Sequence, residues 1–423
     1  MNFFTKIKKG FKKIGPGFIT GAADDDPSGI ATYSIAGAQY GYKMTWMVIF
    51  LWPAMVVIQE MCGRIGLVSG KGLAGVIRKY RSKRLLFMAV SLLAIANIIN
   101  IGADLGIIAA SMQMIFGFYY YYWLVVAGLF IIWMELVIPY KQYVGVLKWL
   151  ALILVVYIIT AFTVKQNWGQ IALDIFVPHI EFNLTYIMTM IGFLGTTISP
   201  YLFFWQASEE VEEEIGAGKI KDFNIKPEVK PIQIKVMGWD TKIGMLFSNL
   251  MAFFIIITAA STLHANGITN IETPQQAALA LKPLAGNFAY ILFAIGIIGI
   301  GWQSIPVLAG SVGYALSEAF NFKEGLSKKF SKAKMFYLII ALSTLMGLGM
   351  NLLHINIMKA LYYSAIINGI AAVPLIMFII RLSDDERVVG RFKTKKRSRI
   401  VAWITFGIML VSVLLMLWQI IFR

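Results

Sequence analysis

Hydrophobic residues occur in long runs along this chain, separated by short polar segments. Two of these runs, residues 85–112 and 402–422, each exceed the roughly 20 residues that a helix needs to cross a bilayer. The pattern predicts an all-α polytopic membrane protein with eleven transmembrane helices. We place these helices at residues 14–40, 44–68, 86–112, 122–138, 146–164, 184–208, 241–263, 286–318, 334–353, 357–380 and 400–421.

The composition supports a membrane protein and excludes a soluble one. Hydrophobic residues make up 58% of the 423 residues and charged residues 14%, whereas soluble domains carry about 25% charged residues. The net charge of +16 is spread over the loops between spans, so it predicts no nucleic-acid partner. The single cysteine, Cys62, excludes an intramolecular disulfide.

The distribution of basic residues predicts the orientation. With the N-terminus in the cytoplasm, most of the 38 lysine and arginine residues lie on the cytoplasmic side. The outer loops and the C-terminal end then hold Lys43, Lys165, Lys282 and Arg423. We therefore expect a plasma-membrane protein with its C-terminus outside the cell. No loop is long enough for a separate domain, so residues 1–423 form one domain, expected to act as a monomer.

Two spans are interrupted at corresponding positions. The first contains "DDDPSG" (24–29), and the sixth contains "GTTISP" (195–200). Proline removes a backbone donor and disfavours helix in the residue before it. Paired breaks are typical of inverted repeats. We therefore predict a first repeat over 14–164, a second over 184–380, an extra helix at 400–421, and unwinding at 24–29 and 196–200.

Each break offers oxygen atoms inside the membrane. The first brings together the backbone carbonyl of Ala23 and the carboxylate of Asp26; the second brings together the carbonyl of Thr196 and the hydroxyl of Ser199. Such a set suits a hard cation, and an intramembrane carboxylate usually marks a pathway. A structural interpretation remains open, because serine and threonine also pack helices.

Other acidic residues have less definite interpretations. Asp24 and Asp25 are expected at the cytoplasmic mouth of the first span, because few apolar residues precede them. The glutamates within residues 209–214 follow the sixth span. They could concentrate cations at a vestibule, but a solvated helix end is the favoured interpretation.

The sequence resembles the Nramp family of divalent-metal transporters. Residues 15–42, "GPGFITGAADDDPSGIATYSIAGAQYGY", are similar to the first helix of that family; residues 59–74 are similar to its second helix and the loop after it. The stretch "GTTISPYLFFWQ" (195–206) occupies the place of the family's sixth-helix methionine–proline–histidine motif. The resemblance implies the LeuT-type inverted-repeat fold and transport of manganese or iron with protons. The sequence contains no nucleotide loop, Ser-His-Asp set or metal-hydrolase motif, so we expect no enzymatic activity and no cofactor.

The resemblance also implies a metal site. It assigns the metal-binding aspartate to Asp26 and the carbonyl ligands to Ala23 and Thr196. The family's asparagine is replaced by Gly29 and its methionine by Ser199. Loss of a thioether removes a preference for transition metals, and loss of the asparagine widens the site. Magnesium keeps several of its waters, so this set resembles the Nramp-related magnesium transporter branch and favours Mg²⁺, with Mn²⁺ also accepted.

Further replacements concern proton coupling. The family's sixth-helix histidine is replaced by Tyr201, and the glutamate of its third-helix D-L-A-E pattern by Ile107. Neither replacement titrates near neutral pH, so we expect weak or absent proton coupling. The aspartate of the D-L-A-E pattern is kept as Asp104. It could relay protons along the pathway, or it could be a structural residue that is hydrogen-bonded in the bundle. Asn368 resembles the tenth-helix polar residue that reaches the ion, although a helix–helix hydrogen bond explains it equally well.

Three alternative functions remain open from the sequence. One is an ordinary proton-coupled Mn²⁺/Fe²⁺ symporter of the Nramp type, and another is a metal sensor that does not transport. The third and more remote one is an amino-acid transporter of the LeuT type, in which Asp26 would repel the carboxylate of the substrate.

Overall fold

The fold is a bundle of helices. A computed structural model describes residues 15–138 and 151–422. Within these residues the regular secondary structure is helical, with short 3₁₀ turns between some helices. The α-helices are α1 Pro16–Asp24, α2 Pro27–Tyr40, α3 Trp46–Ser69, α4 Leu73–Tyr80, α5 Lys83–Phe116, α6 Tyr120–Val137, α7 Val155–Thr163, α8 Trp168–Phe176, α9 Leu184–Thr197, α10 Pro200–Gly216, α11 Pro231–Thr262, α12 Pro274–Ala278, α13 Lys282–Ala285, α14 Ala289–Phe320, α15 Lys334–Met350, α16 Ile357–Ser383, α17 Glu386–Val389 and α18 Lys396–Phe422.

The helices correspond to the predicted spans. Nine segments of the described residues are long and apolar enough to cross a membrane. The first predicted span is not among the nine because its break divides it into α1 and α2, of 9 and 14 residues. The fifth, 146–164, begins outside the described residues and continues through α7. The basic segment before residue 15 and Arg423 also lie outside the described residues.

The first break is a short extended segment between two helices. Asp26 has φ −70° and ψ 171°, and Pro27 occupies the first turn of α2. Proline is well suited to that position because its missing N–H would have no partner there. The break covers residues 25–26, so it is confirmed but narrower than the predicted 24–29.

The second break repeats this arrangement. Ser199 has φ −82° and ψ 133°, and Pro200 begins α10. The break covers residues 198–199, within the predicted 196–200. Two spans therefore break in the same way, each with an extended residue directly before a proline.

The broken helices lie against continuous ones. α1 and α2 pack along α11, α9 packs along α16, α10 along α3, and α5 along α14. At the α1–α11 contact, a Cβ atom added to Gly21 would lie 2.2 Å from the backbone carbonyl carbon of Gly244. Only glycines allow the two backbones to approach so closely.

The start of α1 is held by a side chain of α11. Asp240 accepts hydrogen bonds from the backbone N–H groups of Gly15 at 3.0 Å, Gly17 at 2.7 Å and Phe18 at 3.2 Å. The first N–H groups of a helix lack partners within the helix, and a carboxylate is favoured beside them. α1 is therefore anchored to α11 at its beginning and along its length.

The glutamates within 209–214 are not a solvated helix end. They belong to α10, which continues to Gly216, and all except Glu213 are buried. The Glu212 carboxylate accepts a hydrogen bond of 2.9 Å from the Tyr314 hydroxyl, and that of Glu214 accepts one of 2.7 Å from Lys219. The prediction was wrong because this part of α10 packs against α3 and α14, which cover most of the glutamates.

Candidate functional site

Asp26 is the N-cap of α2, and its two carboxylate oxygens have different partners. Oδ1 accepts hydrogen bonds from the Gly29 backbone N–H and the Ser28 hydroxyl, both at 2.7 Å. Oδ2 accepts one from the side-chain amide of Asn100 on α5, also at 2.7 Å. A carboxylate has about four lone-pair sites. The second oxygen therefore keeps acceptor capacity for a cation.

In the second break, the Ser199 side chain bonds to backbone carbonyls of the preceding helix, α9. The Ser199 hydroxyl lies 2.8 Å from the carbonyl oxygen of Gly195 and 2.7 Å from that of Thr196, and its single proton is shared between these two acceptors. These carbonyls belong to the last turn of α9, whose carbonyls have no helical partners because the helix stops. Two of the predicted ligands, Ser199 and Thr196, are thus in direct contact with each other.

The two breaks are joined through Tyr201. Its hydroxyl donates a hydrogen bond of 2.9 Å to the carbonyl oxygen of Ala23. The predicted ligand carbonyl of α1 and the predicted pathway residue of α10 are therefore partners. A carbonyl oxygen has two lone pairs, so Ala23 keeps one for a further contact.

Space beside Gly29 is occupied. A Cβ atom added at this position would lie 3.1 Å from the Thr196 hydroxyl oxygen and 3.4 Å from the Oδ1 atom of Asp26. The Thr196 hydroxyl thus fills, in this conformation, the space that the sequence predicts for ion-bound waters. Extra room would require the Thr196 side chain to turn or α9 to move away from α2.

Asp104 of α5 and Asn368 of α16 are the remaining residues that the sequence predicts for the site. The Oδ2 atom of Asp104 lies 3.2 Å from the Ser304 hydroxyl of α14, and its Oδ1 atom has no hydrogen-bond partner among the described residues. Asn368 is fully buried on α16, and its side-chain oxygen and nitrogen also have no partner there. Its neighbour Gly369 packs against Gly195, which places Asn368 beside the second break.

Asp24 and Asp25 are not at the mouth of the span. Both are fully buried. The Ser248 hydroxyl of α11 lies 2.6 Å from Oδ2 of Asp24 and 3.2 Å from Oδ1 of Asp25. The expectation failed because distance along α1 does not measure depth in the bundle, where α11 covers the end of this helix.

The site is closed to solvent on both sides. The side chains of Asp26, Asp104, Thr196, Ser199 and Asn368 are at most 1% exposed. Their polar atoms are carboxylate, hydroxyl and amide groups, which suit hard cations. Across residues 15–138 and 151–422, no group of three or more histidine, cysteine, aspartate or glutamate side chains could hold a metal.

Sequence reasoning missed three residues of this region: Asn100, Ser364 and Ser248. Ser364 of α16 donates a hydrogen bond of 2.9 Å to the Asn100 side-chain oxygen. One signal was present in the sequence, because Asn100 lies four residues before Asp104 and so shares its helix face. Nothing local marked the two serines.

Comparison with known proteins identifies the relatives of this chain. The profile of the family described as natural resistance-associated macrophage protein-like (Nramp) matches residues 17–419. The divalent metal cation transporter MntH of Vibrio campbellii is 26% identical over 427 residues, which cover 98% of this chain and 92% of that protein.

Solved structures share the fold. The manganese transporter of Eremococcus coleocola superposes with a TM-score of 0.72 at 15% identity, covering 97% of this chain and 94% of that one. Mhp1, a nucleobase-cation-symport-1 family transporter in a closed conformation, superposes with a TM-score of 0.63 at 11% identity, covering 96% and 92%. The LeuT-type fold predicted from the sequence is confirmed.

Proposed function

The chain belongs to the Nramp-like family, and on that premise we propose that it transports divalent metal cations across a membrane by alternating access. The observation that carries this proposal is the position of Asp26, a buried carboxylate in the break of a transmembrane helix. Irregular backbone at membrane depth is tolerated where it lines a cavity. The names of the relatives, a divalent metal cation transporter and a manganese transporter, support the same class of substrate.

We propose that the site takes Mg²⁺ and also Mn²⁺. The ligands would be the carboxylate of Asp26, the carbonyls of Ala23 and Thr196, the Ser199 hydroxyl and the Asn368 amide oxygen. All are oxygen donors, and both ions accept such ligands. Mg²⁺ would keep part of its water shell, which requires the gap between Gly29 and Thr196 to widen when the site opens.

Proton coupling is proposed to be weak or absent. The Tyr201 hydroxyl hydrogen-bonds to a backbone carbonyl in the closed site, and the position corresponding to the family's glutamate is the buried Ile107. Asp104, with one unpartnered oxygen, is the side chain that would support the second candidate, a proton-coupled Mn²⁺ symporter.

We propose a monomer in the plasma membrane, with the N-terminus in the cytoplasm and the C-terminus outside. The positive-inside distribution of lysine and arginine supports this orientation.

Uptake of Mg²⁺ and Mn²⁺ into proteoliposomes tests the role of the site. Asp26→Asn keeps a side chain that can cap α2 but removes the charge, and should abolish uptake of both ions. Asp24→Asn is the matched control, because Asp24 is equally buried two residues away, and it should retain measurable uptake. Size-exclusion profiles establish that both variants fold. Near-normal uptake by both variants would contradict the proposed site.

A further inference from the structure

Only one oxygen of Asp26 is available to an ion, and Asn100 contacts that oxygen. Oδ1 is held by the first turn of α2 through Ser28 and Gly29. Oδ2 faces the Asn100 side chain at 2.7 Å. An ionised carboxylate only accepts hydrogen bonds, and the amide nitrogen of Asn100 faces Oδ2 and donates to it.

A cation at Oδ2 is incompatible with this orientation of the amide. The N–H groups carry partial positive charge toward the place where the cation would bind. Turning the Asn100 amide over by rotation about its terminal bond would replace the nitrogen with the carbonyl oxygen. That oxygen is a ligand of the class that Mg²⁺ and Mn²⁺ accept.

Ser364 fits both orientations of the amide. Its hydroxyl lies 2.9 Å from the Asn100 side-chain oxygen and 2.8 Å from the Leu361 carbonyl oxygen. A hydroxyl has one donor and two acceptor sites. With the amide turned over, Ser364 would donate to Leu361 and accept from the Asn100 nitrogen, so no buried polar group would lose its partner.

We infer that Asn100 is an ion ligand whose amide turns over when a divalent cation binds to Asp26, an inference that rests on the proposed function. When an ion binds at the break before α2, this rotation of the amide reverses the direction of the hydrogen bond between Asn100 of α5 and Ser364 of α16. Asn100 thus links the ion to three of the helices around the site.

Cadmium binding to a cysteine variant tests this inference in the full-length protein. Thiolate is a soft ligand that favours Cd²⁺. Asn100→Cys should therefore gain a thiolate-to-cadmium charge-transfer absorption with one Cd²⁺ per chain, and should lose Mn²⁺ affinity by about tenfold or more. Asn97→Cys is the matched control: Asn97 is also buried on α5 but bonds to Leu308 and Ser311. It should show neither change, and the unsubstituted protein supplies the background from Cys62.

The outcomes separate the inference from the proposed function. Loss of Mn²⁺ affinity in Asn100→Cys without the absorption would mean that Asn100 only holds Asp26, which overturns the ligand role. Asn100→Asp serves as the second variant if the cysteine variant does not fold. It adds a hard oxygen ligand and should bind Mn²⁺ at least as tightly as the unsubstituted protein; binding weaker than that of Asn100→Ala would overturn the inference. Failure of the unsubstituted protein to bind Mn²⁺ or Mg²⁺ would instead refute the proposed function.

Discussion

The hydroxyl of Tyr201 donates a 2.9 Å hydrogen bond to the carbonyl oxygen of Ala23, and so connects the two broken spans. Tyr201 lies in the first turn of α10, and Ala23 in the last turn of α1. The bond occupies one lone pair of a carbonyl that we propose as an ion ligand. Tyr201 therefore holds the closed site together, and we expect this bond to break when the site opens and the oxygen binds an ion.

Tyr201→Phe should bind Mn²⁺ more tightly than the unsubstituted protein. A buried hydrogen bond contributes about 1 kcal/mol, so its loss from the ion-free state should lower the dissociation constant by about fivefold. Tyr33→Phe is the control, because the equally buried hydroxyl of Tyr33 bonds to Thr197 rather than to a ligand carbonyl. Isothermal titration measures both. Equal affinity in the two variants would show that the Tyr201 bond does not compete with the ion.

Gly21→Ala should destabilise the protein severely. Its new methyl group would lie 2.2 Å from backbone atoms of Gly244, so α1 and α11 would have to separate. Gly349→Ala is the matched control, because no atom lies within 4 Å of its added Cβ; it should be neutral or stabilising by about 0.5–1 kcal/mol. Thermal unfolding in detergent compares them. An unchanged transition in Gly21→Ala would contradict the close α1–α11 contact.

Ser248→Ala should destabilise the end of α1. The substitution removes the hydroxyl that lies within hydrogen-bonding distance of both Asp24 and Asp25. A buried polar group left without its partner costs about 1–3 kcal/mol. Ser343→Ala should cost less, because the buried Ser343 hydroxyl bonds only to a carbonyl of its own helix. Thermal unfolding in detergent compares the two variants. Equal losses of stability would mean that the carboxylates of Asp24 and Asp25 do not depend on Ser248.

Glu324 should make the stability depend on pH. It lies in the loop before α15 and is 3% exposed. Burial and, to a smaller extent, the nearby Glu318 raise the pKa of its carboxyl to about 9, from about 4.3 in an unfolded chain. Between these values the folded protein binds a proton that the unfolded chain has released. This group therefore does not lower the free energy of unfolding below about pH 4. The free energy of unfolding then falls as the pH rises toward 9.

Glu324→Gln should remove this dependence. The variant should exceed the unsubstituted protein in stability by an amount that grows with pH, to more than about 1 kcal/mol near pH 9. Glu228→Gln, at an exposed position, should follow the unsubstituted protein throughout. Melting temperatures measured between about pH 5 and 9 would contradict the account if the Glu324→Gln curve ran parallel to the others.

The fold could be predicted because its signals are local. Apolar runs mark the spans, and Pro27 and Pro200 mark the breaks, since proline restricts the residue directly before it. Asp26 could be recognised because it is a carboxylate inside a span, directly before Pro27, and an intramembrane carboxylate usually marks a pathway.

The remaining contacts could not be predicted, because they depend on which helices become neighbours. Asn100 meets Asp26 across 74 positions of the chain, and Ser248 meets Asp24 across 224. Thr196 fills the space beside Gly29 only because α9 lies against α2. A sequence shows which residues are polar, but the packing of distant helices decides whether they are buried and what they contact.

Simultaneous recording of Mg²⁺, Mn²⁺ and internal pH in proteoliposomes tests the central claim most directly. The proposed oxygen ligands around Asp26 predict that Mg²⁺ and Mn²⁺ both enter. The proposed weak or absent proton coupling predicts that the internal pH stays constant. Entry of Mn²⁺ with matching acidification, and no entry of Mg²⁺, would contradict the account and identify a proton-coupled manganese symporter.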